Sequence, residues 1–408
     1  MYKRNITQDF LESLQDTPVL LLNGARQAGK STLVKSLIGT DHQYYTMDDP
    51  TTLSSIKKDP LMFLEGLTGP TIFDEVQRTP ELFLPLKKVV DNNKIPGYFV
   101  LTGSANILSL PRIADSLAGR IEIHTLWPLS QGEIEGHKED FINTIFNKEL
   151  PLPQKHISLE DLVDRLITGG YPAPLQRSTG NRQQKWFSSY LSTILEKDIR
   201  ELSNIEGLTE IPSLMHLCAA RCGTLLNMTE FSRSLGLAHS TLKRYLTLLE
   251  KTYLLVSLPA WSKNLSKRLV KTPKIYLNDT GLLTHLVDFN KTRLLNDKNF
   301  LGHVLENFVV MELKKQMTWS QQRSTIYHYR THSQKEVDII LEAPDSRVIG
   351  IEVKLAHAVS AKDFDGINSL EEDIGPHLHR GIVFYMGREI IPFGRNKHAL
   401  PLSLLWES

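Results

Sequence analysis

Short apolar runs that alternate with helical segments mark the first part of the chain. Apolar residues dominate 18–23, 70–74 and 97–102, and each run ends at a polar residue or just before a glycine, as buried parallel strands do. Residues 30–38 have helical spacing and contain neither Gly nor Pro. This alternation predicts an α/β domain over residues 1–155, with a parallel sheet covered by helices on both faces.

The pattern becomes helical after a polar stretch that ends in two prolines, Pro151 and Pro153. Residues 156–210 are predicted to form a helical linker. Residues 211–290 show three helical patterns followed by a strand, the order of a winged helix-turn-helix. Within that unit, Thr229 and Ser240 are predicted to cap the two helices of the helix-turn-helix.

The last part of the chain combines one long helix with several strands. An amphipathic helical pattern covers 300–316, and alternating apolar and polar residues follow at 325–330, 336–342, 348–354 and 381–387. A helix followed by a mixed sheet predicts a third unit, an α+β domain over residues 291–408.

Composition limits the choice of compartment and partner. Hydrophobic residues make up 41% and charged residues 23% of the chain, which suits an ordinary globular protein. Lys and Arg number 47 against 46 Asp and Glu, so a nucleic-acid surface must be a local patch. Two cysteines are too few for a disulfide framework. The chain start lacks the apolar core of a signal peptide, and no apolar run reaches the roughly 20 residues of a membrane helix. A cytoplasmic protein without a membrane partner is expected.

A phosphate-binding loop is the most specific motif. Residues 24–31, GARQAGKS, fit G-x-x-x-x-G-K-[ST] between a predicted strand and a predicted helix. Its glycines let backbone N–H groups approach phosphate oxygens, and the helix that begins at Lys30 directs its positive end at them. The alternative, a Gly-rich turn without a ligand, is disfavoured by the strand–loop–helix context. The residues predicted to bind nucleoside triphosphate and Mg²⁺ are Gly24, Ala28, Gly29, Lys30, Ser31 and Thr32.

Polar residues at the ends of later strands supply the remaining chemistry. Asp74 ends the strand at 71–74 and would bind the Mg²⁺ shell together with Ser31, while Glu75 would orient or polarise the attacking water. Ser104 follows another strand and could contact the γ-phosphate, although a polar loop start is an equal alternative. Arg120 could be an arginine finger for a neighbouring subunit, or a surface or ion-paired arginine.

Four segments together carry a family resemblance over nearly the whole chain. LLNGARQAGKSTL, TIFDEVQR, LTGSAN and LAGRIEIHTLWPLS resemble the prokaryotic AAA-type ATPases that carry a C-terminal domain of unknown function. The resemblance implies ATP rather than GTP, a sensor role for Ser104 and a finger role for Arg120. A finger that acts on a neighbour would require a homo-oligomer. The resemblance does not indicate what the protein acts on.

Two basic features predict DNA as a partner. The second helix of the helix-turn-helix would present Lys243 and Arg244 to solvent while its apolar residues pack inward. The segment 262–274 contains cationic residues and no acid, which suits phosphate binding. Its members are Lys263, Lys267, Arg268, Lys271 and Lys274. The alternative is a helical adaptor for another protein with a solvated basic loop.

The C-terminal strands contain a set of carboxylates with a nearby lysine. Asp338 lies in one strand, and Glu352 and Lys354 lie two residues apart in or beside the next, so they share one face. Two carboxylates could hold Mg²⁺ while the lysine positions water, and Glu306 on the preceding helix could add a ligand. The order resembles the restriction-endonuclease-like nucleases, although Val337 stands where a proline often precedes the first Asp. A half-buried strand, or a degenerate unit that binds without cutting, would show the same pattern.

Three functions follow from these features. The leading hypothesis is an ATP-driven enzyme that acts on DNA and whose last domain cleaves or clamps the duplex. The second is a nucleotide-controlled switch whose C-terminal half binds another protein. The third is a DNA-binding regulator that hydrolyses ATP slowly.

Overall fold

The computed structural model of the protein describes most of the chain. It covers residues 2–38, 42–104, 117–147, 149–195, 208–264, 266, 268, 271–331 and 333–407. Lys267 of the predicted basic run lies outside these residues.

The first domain is built on a five-stranded sheet with the strand order β2-β3-β4-β1-β5. Each of its four strand pairings is parallel, which confirms the predicted parallel-sheet fold. Its elements are α1 (Thr7–Ser13), β1 (Val19–Asn23), α2 (Lys30–Ile38), β2 (Gln43–Thr46), α3 (Pro50–Lys58), α4 (Pro60–Glu65), β3 (Thr71–Asp74), α5 (Phe83–Asn92), β4 (Phe99–Gly103), β5 (Ile121–Thr125), α6 (Gln131–Glu135) and α7 (Phe141–Asn147).

Two apolar cores cover the two faces of this sheet. Phe73 and Leu101 belong to one core, and Leu20 and Val34 belong to the other. Strand β1, which lies between β4 and β5, is buried along its whole length, as its continuous apolar run predicts. Because neighbouring strands are parallel, the carboxyl ends of β1, β3 and β4 meet at one edge, where parallel sheets place their ligands.

A mainly helical region follows, and it contains three helices and a two-stranded antiparallel hairpin in succession. The helix Leu159–Thr168 packs against the helix Thr280–Leu286, and both belong to one core with the hairpin. The described part of 156–210 is therefore packed into the region that follows it. The elements are α8 (Leu159–Thr168), α9 (Pro172–Leu175), α10 (Gly180–Thr193), α11 (Ile211–Ala220), α12 (Met228–Leu235), α13 (His239–Lys251), β6 (Leu255–Leu258), β7 (Lys274–Leu277), α14 (Thr280–Leu286) and α15 (Lys291–Asn296).

The helix caps in this region differ from the prediction. Asn227 caps α12 by accepting a hydrogen bond from the backbone N–H of Glu230, so Thr229 lies inside the helix. Helix α13 begins at His239, which places Ser240 in its first turn rather than at its cap. Both predictions were wrong by two residues: Asn227 serves as the cap of α12, and Ala238 precedes α13 without a capping side chain.

The C-terminal unit contains a six-stranded mixed sheet with the order β12-β13-β11-β10-β9-β8. One face is covered by the helix Asp365–Ile374, and the other packs on the helix Lys298–Gln316 in the core that continues into the helical region. The elements are α16 (Lys298–Gln316), β8 (Thr325–Arg330), β9 (Glu336–Glu342), β10 (Val348–Val353), α17 (Asp365–Ile374), β11 (Leu378–Tyr385), β12 (Ile391–Pro392), β13 (Lys397–Pro401) and α18 (Leu404–Glu407). Strands β12 and β13 were not predicted. In the described ranges, every helix is too short or too polar to span a bilayer.

Candidate functional site

The loop between β1 and α2 has the backbone that phosphate binding requires. Gly24 and Gly29 adopt φ angles of +137° and +102°, which disfavour any residue with a side chain. A Cβ atom on Gly24 would lie 2.1 Å from the carbonyl oxygen of Leu126. The ammonium of Lys30 is buried and donates hydrogen bonds to the carbonyls of Gly24 (3.0 Å) and Ala25 (2.9 Å). The loop therefore holds a positive charge at the start of α2.

Asp74, at the end of β3, lies against the first turn of α2. Ser31 Oγ donates a hydrogen bond to Asp74 Oδ1 at 2.9 Å, although 43 residues separate the two. Thr102 on β4 donates to the same oxygen, and the hydroxyl of Tyr44 on β2 donates to the other. Burial and the Asp74 carboxylate raise the pKa of Tyr44, which therefore remains a donor. Three neighbouring elements thus fix the orientation of this carboxylate.

Glu75 is held in a strained conformation directly after Asp74. Its φ of +61° lies in the left-handed region, which costs a residue other than glycine about 1–3 kcal/mol. The Glu75 carboxylate accepts a hydrogen bond from Ser104 Oγ at 3.2 Å and another from Gln77 Nε2. Gln77 Nε2 also lies 3.0 Å from Ser104 Oγ. The structure therefore brings Glu75 and Ser104 together at the carboxyl ends of β3 and β4.

Sequence reasoning missed Tyr44, Gln77 and Thr102. Gln77 lies in the DEVQ segment that carries part of the family resemblance, but the sequence alone does not indicate a role for its side chain. Thr102 is a polar residue near the end of the otherwise apolar run of β4, and Tyr44 is one of several polar residues in β2. Only the parallel order of β2, β3 and β4 indicates that they surround Asp74.

Arg120 contacts a residue of its own chain outside the phosphate site. Its guanidinium forms an ion pair with Asp91 on α5, with Nη2 and Oδ2 3.0 Å apart, and Nη1 donates to the carbonyl of Ala118 at 2.9 Å. Both charged side chains remain partly exposed. A role for Arg120 at a neighbouring subunit would require this ion pair to open.

A cleft of about 610 Å³ adjoins the phosphate loop. One wall is formed by the loop and the start of α2. The other is formed by the first residues of the chain together with Leu129 and Pro172. Much of its lining is apolar, which suits a flat ring system better than a charged group. The lining includes Tyr2, Ala28, Gly29, Thr32, Leu33, Leu37, Leu129 and Pro172.

Two side chains tie the phosphate loop to other parts of the chain. Arg4 Nη1 donates to the carbonyl of Ala28 at 2.8 Å, and Arg4 Nε forms a buried ion pair with Glu133 at 3.1 Å. From α10, the hydroxyl of Tyr190 donates to the carbonyl of Arg26 at 3.3 Å.

A buried chain of hydrogen bonds continues from Tyr190 toward the hairpin. The hydroxyls of Tyr190 and Tyr171 lie 2.6 Å apart, and Asn278 Nδ2 donates to Tyr171 at 2.8 Å. Asn278 directly follows β7, so the phosphate loop and the hairpin are linked through three consecutive polar contacts.

The structure also brings the C-terminal carboxylates together. The backbone N–H of Val353 donates to Asp338 Oδ2 at 3.0 Å, and Lys354 Nζ donates to Glu352 Oε2 at 3.0 Å. Burial and the adjacent Asp338 raise the pKa of Glu352 well above its usual range. The pKa of Lys354 is raised above its ordinary value. Burial alone would lower it, but the negative charges of Glu352 and Asp338 have the larger combined effect.

Glu306 on α16 joins this group through a lysine of the hairpin. Lys274 Nζ donates to Glu306 Oε1 at 2.8 Å and lies 3.6 Å from Asp338 Oδ1. The hydroxyl of Tyr276 donates to the same Glu306 oxygen at 2.6 Å. Burial raises the pKa of Glu306 to about 7, and Asp338 acts in the same direction. Across the described ranges, no three His, Cys, Asp or Glu side chains gather in a way that could hold a metal ion.

The predicted basic run needs correction at two positions. Lys274 is buried in the ion pair with Glu306, so it cannot reach a phosphate. Arg268 forms a bidentate ion pair with Glu342, with Nη2 and Oε1 2.8 Å apart, and its guanidinium lies over the ring of Trp261. The sequence shows these charges, but their partners are distant in sequence and appear only in the fold.

Four other cationic residues in the described part of the chain are at least partly accessible. On α13, Lys243 and Arg244 are exposed while Leu242 and Tyr245 are buried beneath them. Lys263 is exposed and Lys271 is half-buried.

Comparison with known proteins defines the class of the first domain. Residues 16–135 match the AAA domain family AAA_14, which agrees with the parallel sheet and the phosphate loop described above. This part of the chain is therefore a P-loop ATPase domain of the AAA type. Residues 159–293 and 301–405 match two families described only as domains of unknown function, DUF8612 and DUF4143.

Two curated relatives match the chain over nearly its whole length. It is 29% identical over 401 residues to the uncharacterized proteins Rv2008c of Mycobacterium tuberculosis and Mb2031c of Mycobacterium bovis, covering 98% of this chain and 83% of theirs. Among solved structures, the Walker-type ATPase PABY2304 of Pyrococcus abyssi is 16% identical with a TM-score of 0.45, over 70% of this chain and 96% of that one. The RuvB Holliday junction branch migration motor of Thermotoga maritima is 16% identical with a TM-score of 0.31, and the match covers 62% of this chain and 89% of that one.

Proposed function

We propose that the protein is a Mg²⁺-dependent ATPase whose nucleotide state controls a DNA-binding C-terminal half. The observation that carries the ATPase part is the group Lys30, Ser31, Asp74, Glu75 and Ser104 at one edge of the sheet. A phosphate loop, a hydroxyl–carboxylate pair and a carboxylate held by a hydroxyl are the parts that ATP hydrolysis needs.

Each of these residues fits one task. Lys30 would exchange its two loop carbonyls for phosphate oxygens, and Gly24 and Gly29 allow the backbone to approach them. Ser31 and Asp74 offer the oxygen ligands that Mg²⁺ prefers, and the bound ion would supply charge neutralisation at the phosphates. Glu75 would orient and polarise water, with Ser104 as the sensor that holds its carboxylate. The apolar cleft beside Thr32 suits the adenine ring.

Contacts of the phosphate loop support control of the C-terminal half. The carbonyl of Arg26 is bound by Tyr190, and the hydrogen bonds continue through Tyr171 to Asn278 at the end of the hairpin. A loop that rearranges around phosphates would change the first of these contacts. The three helices and antiparallel hairpin of 211–277 have the order of a winged helix-turn-helix, and the exposed pair Lys243 and Arg244 lies on its last helix.

A test of the finger role uses two inactive proteins. Arg120→Ala and Lys30→Ala are each expected to lose most ATP hydrolysis. The first would no longer stabilise the transition state in the neighbouring subunit, and the second would bind nucleotide poorly. If Arg120 acts on a neighbouring subunit, mixing the two variants creates some sites with both residues intact. Steady-state hydrolysis by the mixture should then exceed the sum of the separate rates. A mixture no more active than its parts would place Arg120 in a structural ion pair with Asp91 alone.

DNA cleavage is a second candidate function, favoured by the contact of Asp338, Glu352 and Lys354. Supercoiled and linear DNA would be incubated with the protein, ATP and Mg²⁺, beside the Glu352→Ala/Lys354→Ala variant. We expect Mg²⁺-dependent nicking that disappears in the variant while its ATP hydrolysis is retained, because the carboxylates lie outside the P-loop domain. Intact DNA with wild-type protein that hydrolyses ATP would instead favour a C-terminal half that clamps DNA or binds a protein.

A further inference from the structure

A second cleft, of about 780 Å³, lies between the segment that follows the hairpin strand β6 and the edge strand β8. The segment 259–261 runs along β8: the backbone N–H of Trp261 donates to the carbonyl of His328 at 2.6 Å, and that of His328 donates to Pro259 at 3.0 Å. Lys263 and Lys271 form one wall, and Arg330 with the turn after it forms the other. The cleft shares no lining residue with the cleft beside the phosphate loop.

Cationic side chains outnumber carboxylates at this cleft: Lys263, Lys271 and Arg330 line it, against Asp373 on its wall and Glu336 beside Arg330. Among the described residues, neither Lys263 nor Lys271 has a carboxylate within ion-pair distance. Arg330 shares its charge with Glu336 at 2.7 Å. Asp373 is the acidic residue on the described walls, and its carboxylate already accepts a hydrogen bond from Tyr329. The two lysines therefore have charges that an anion could neutralise.

The floor of the cleft shows the same positive potential and an incomplete set of hydrogen bonds. Burial lowers the pKa of His328 to about 4, and the charges of Lys274, Lys271 and Arg330 act in the same direction. Within the described residues, Trp261 Nε1 is buried without a hydrogen-bond partner. An indole N–H can only donate, so the partner it lacks is an acceptor such as a phosphate oxygen or a water. His328 Nδ1 is likewise unpartnered and, in a neutral ring, requires a donor such as water.

The position of the cleft connects it with the C-terminal carboxylates. Lys274 lies three positions after Lys271 in the chain, a span of at most about 11 Å. Lys274 lies beside Glu306 and Asp338. An anionic chain bound along the cleft would therefore pass close to the carboxylates of Glu306 and Asp338.

We propose that this cleft binds the phosphodiester backbone of DNA, with Lys263 and Lys271 as its main phosphate contacts. The inference rests on the proposed action on DNA. Of the basic run predicted from the sequence, it keeps Lys263 and Lys271, which line this cleft. The phosphates would be neutralised by the two lysines, with Arg330 and the hydroxyls of Thr331 and Ser333 at the opposite wall. Contacts of this kind set affinity and salt dependence and carry no base preference.

The test compares the salt dependence of DNA binding in charge-reversed variants. Lys263→Glu/Lys271→Glu is measured against wild type by fluorescence anisotropy with a short labelled duplex at several salt concentrations. Lys57→Glu/Lys58→Glu, on exposed positions of α3 in the P-loop domain, has the same net charge and is the matched control. ATP hydrolysis without DNA should be unchanged in the cleft variant, which verifies the folding of its P-loop domain.

We expect the cleft variant to lose about tenfold or more in affinity at low salt. The slope of log affinity against log salt should fall in magnitude by about 2, since each lost phosphate contact removes about 0.9. The control should match wild type in slope. If wild-type protein binds no DNA at low salt, the proposed action on DNA is wrong. If wild type binds but the cleft variant keeps its affinity and slope, only the cleft assignment is wrong. A cleft variant that loses binding to an acidic peptide and not to DNA would assign the cleft to a protein partner.

Discussion

Replacing Glu75 by glutamine should lower the rate of ATP hydrolysis by about a hundredfold or more while ATP binding persists. Glutamine has nearly the same size and can still accept the hydrogen bond that Ser104 donates at 3.2 Å. It cannot hold a negative charge or take a proton, so it would polarise water far less. Lys30, Ser31 and Asp74 are unchanged in this variant, and the contacts proposed for phosphate and Mg²⁺ therefore remain.

Two measurements separate binding from turnover in this variant. A fluorescent ATP analogue gives the affinity, and phosphate release gives the steady-state rate. Glu81→Gln is a suitable control, because Glu81 is an exposed carboxylate six residues further along the same segment. Its turnover should equal that of wild type. Turnover by Glu75→Gln at the parent rate would mean that another group activates water.

The phosphate site was predictable where its chemistry is local in sequence. The loop needs glycines, a lysine and a hydroxyl at fixed spacing, so one segment predicts both the backbone and the ligand. Asp74 was predictable because a carboxylate ends a buried strand at a suitable distance. The roles of Tyr44 and Thr102 were not, because each depends on which strands lie beside β3. Strand order is a long-range property that no single segment contains.

The C-terminal unit shows a similar limit. A period of two predicted that Glu352 and Lys354 share a face, and the antiparallel pairing of β9 with β10 brings Asp338 to them. The basic run was misjudged because a count of charges does not reveal burial. Arg268 and Lys274 meet β9 and α16 only where the hairpin packs on the C-terminal unit, and there Glu342 and Glu306 bind them.

Replacing the buried Lys274 by methionine should destabilise the protein by about 3–5 kcal/mol, the usual cost of leaving a buried charge without its partner. Methionine fills a similar volume, so the loss comes from the charge. Lys274 Nζ is the cation within 2.8 Å of Glu306 and 3.6 Å of Asp338. The double variant Lys274→Met/Glu306→Gln should recover much of the stability, because glutamine can still accept the hydrogen bond from Tyr276. Lys271→Met, three residues earlier, should change stability by less than about 0.5 kcal/mol.

The destabilisation should depend on pH in a direction fixed by Glu306. Its pKa is raised from 4.5 to about 7 in the folded protein, so between these values the folded state binds more protons than the unfolded state. Stability therefore falls as pH rises through this window. Without Lys274 the pKa of Glu306 rises further, and the window extends to higher pH. Denaturant unfolding should accordingly show a larger difference between Lys274→Met and wild type at about pH 8 than at about pH 5.5, because protonation at low pH removes the unpaired charge. An equal difference at both pH values would mean that lost packing, rather than the Lys274–Glu306 ion pair, accounts for the effect.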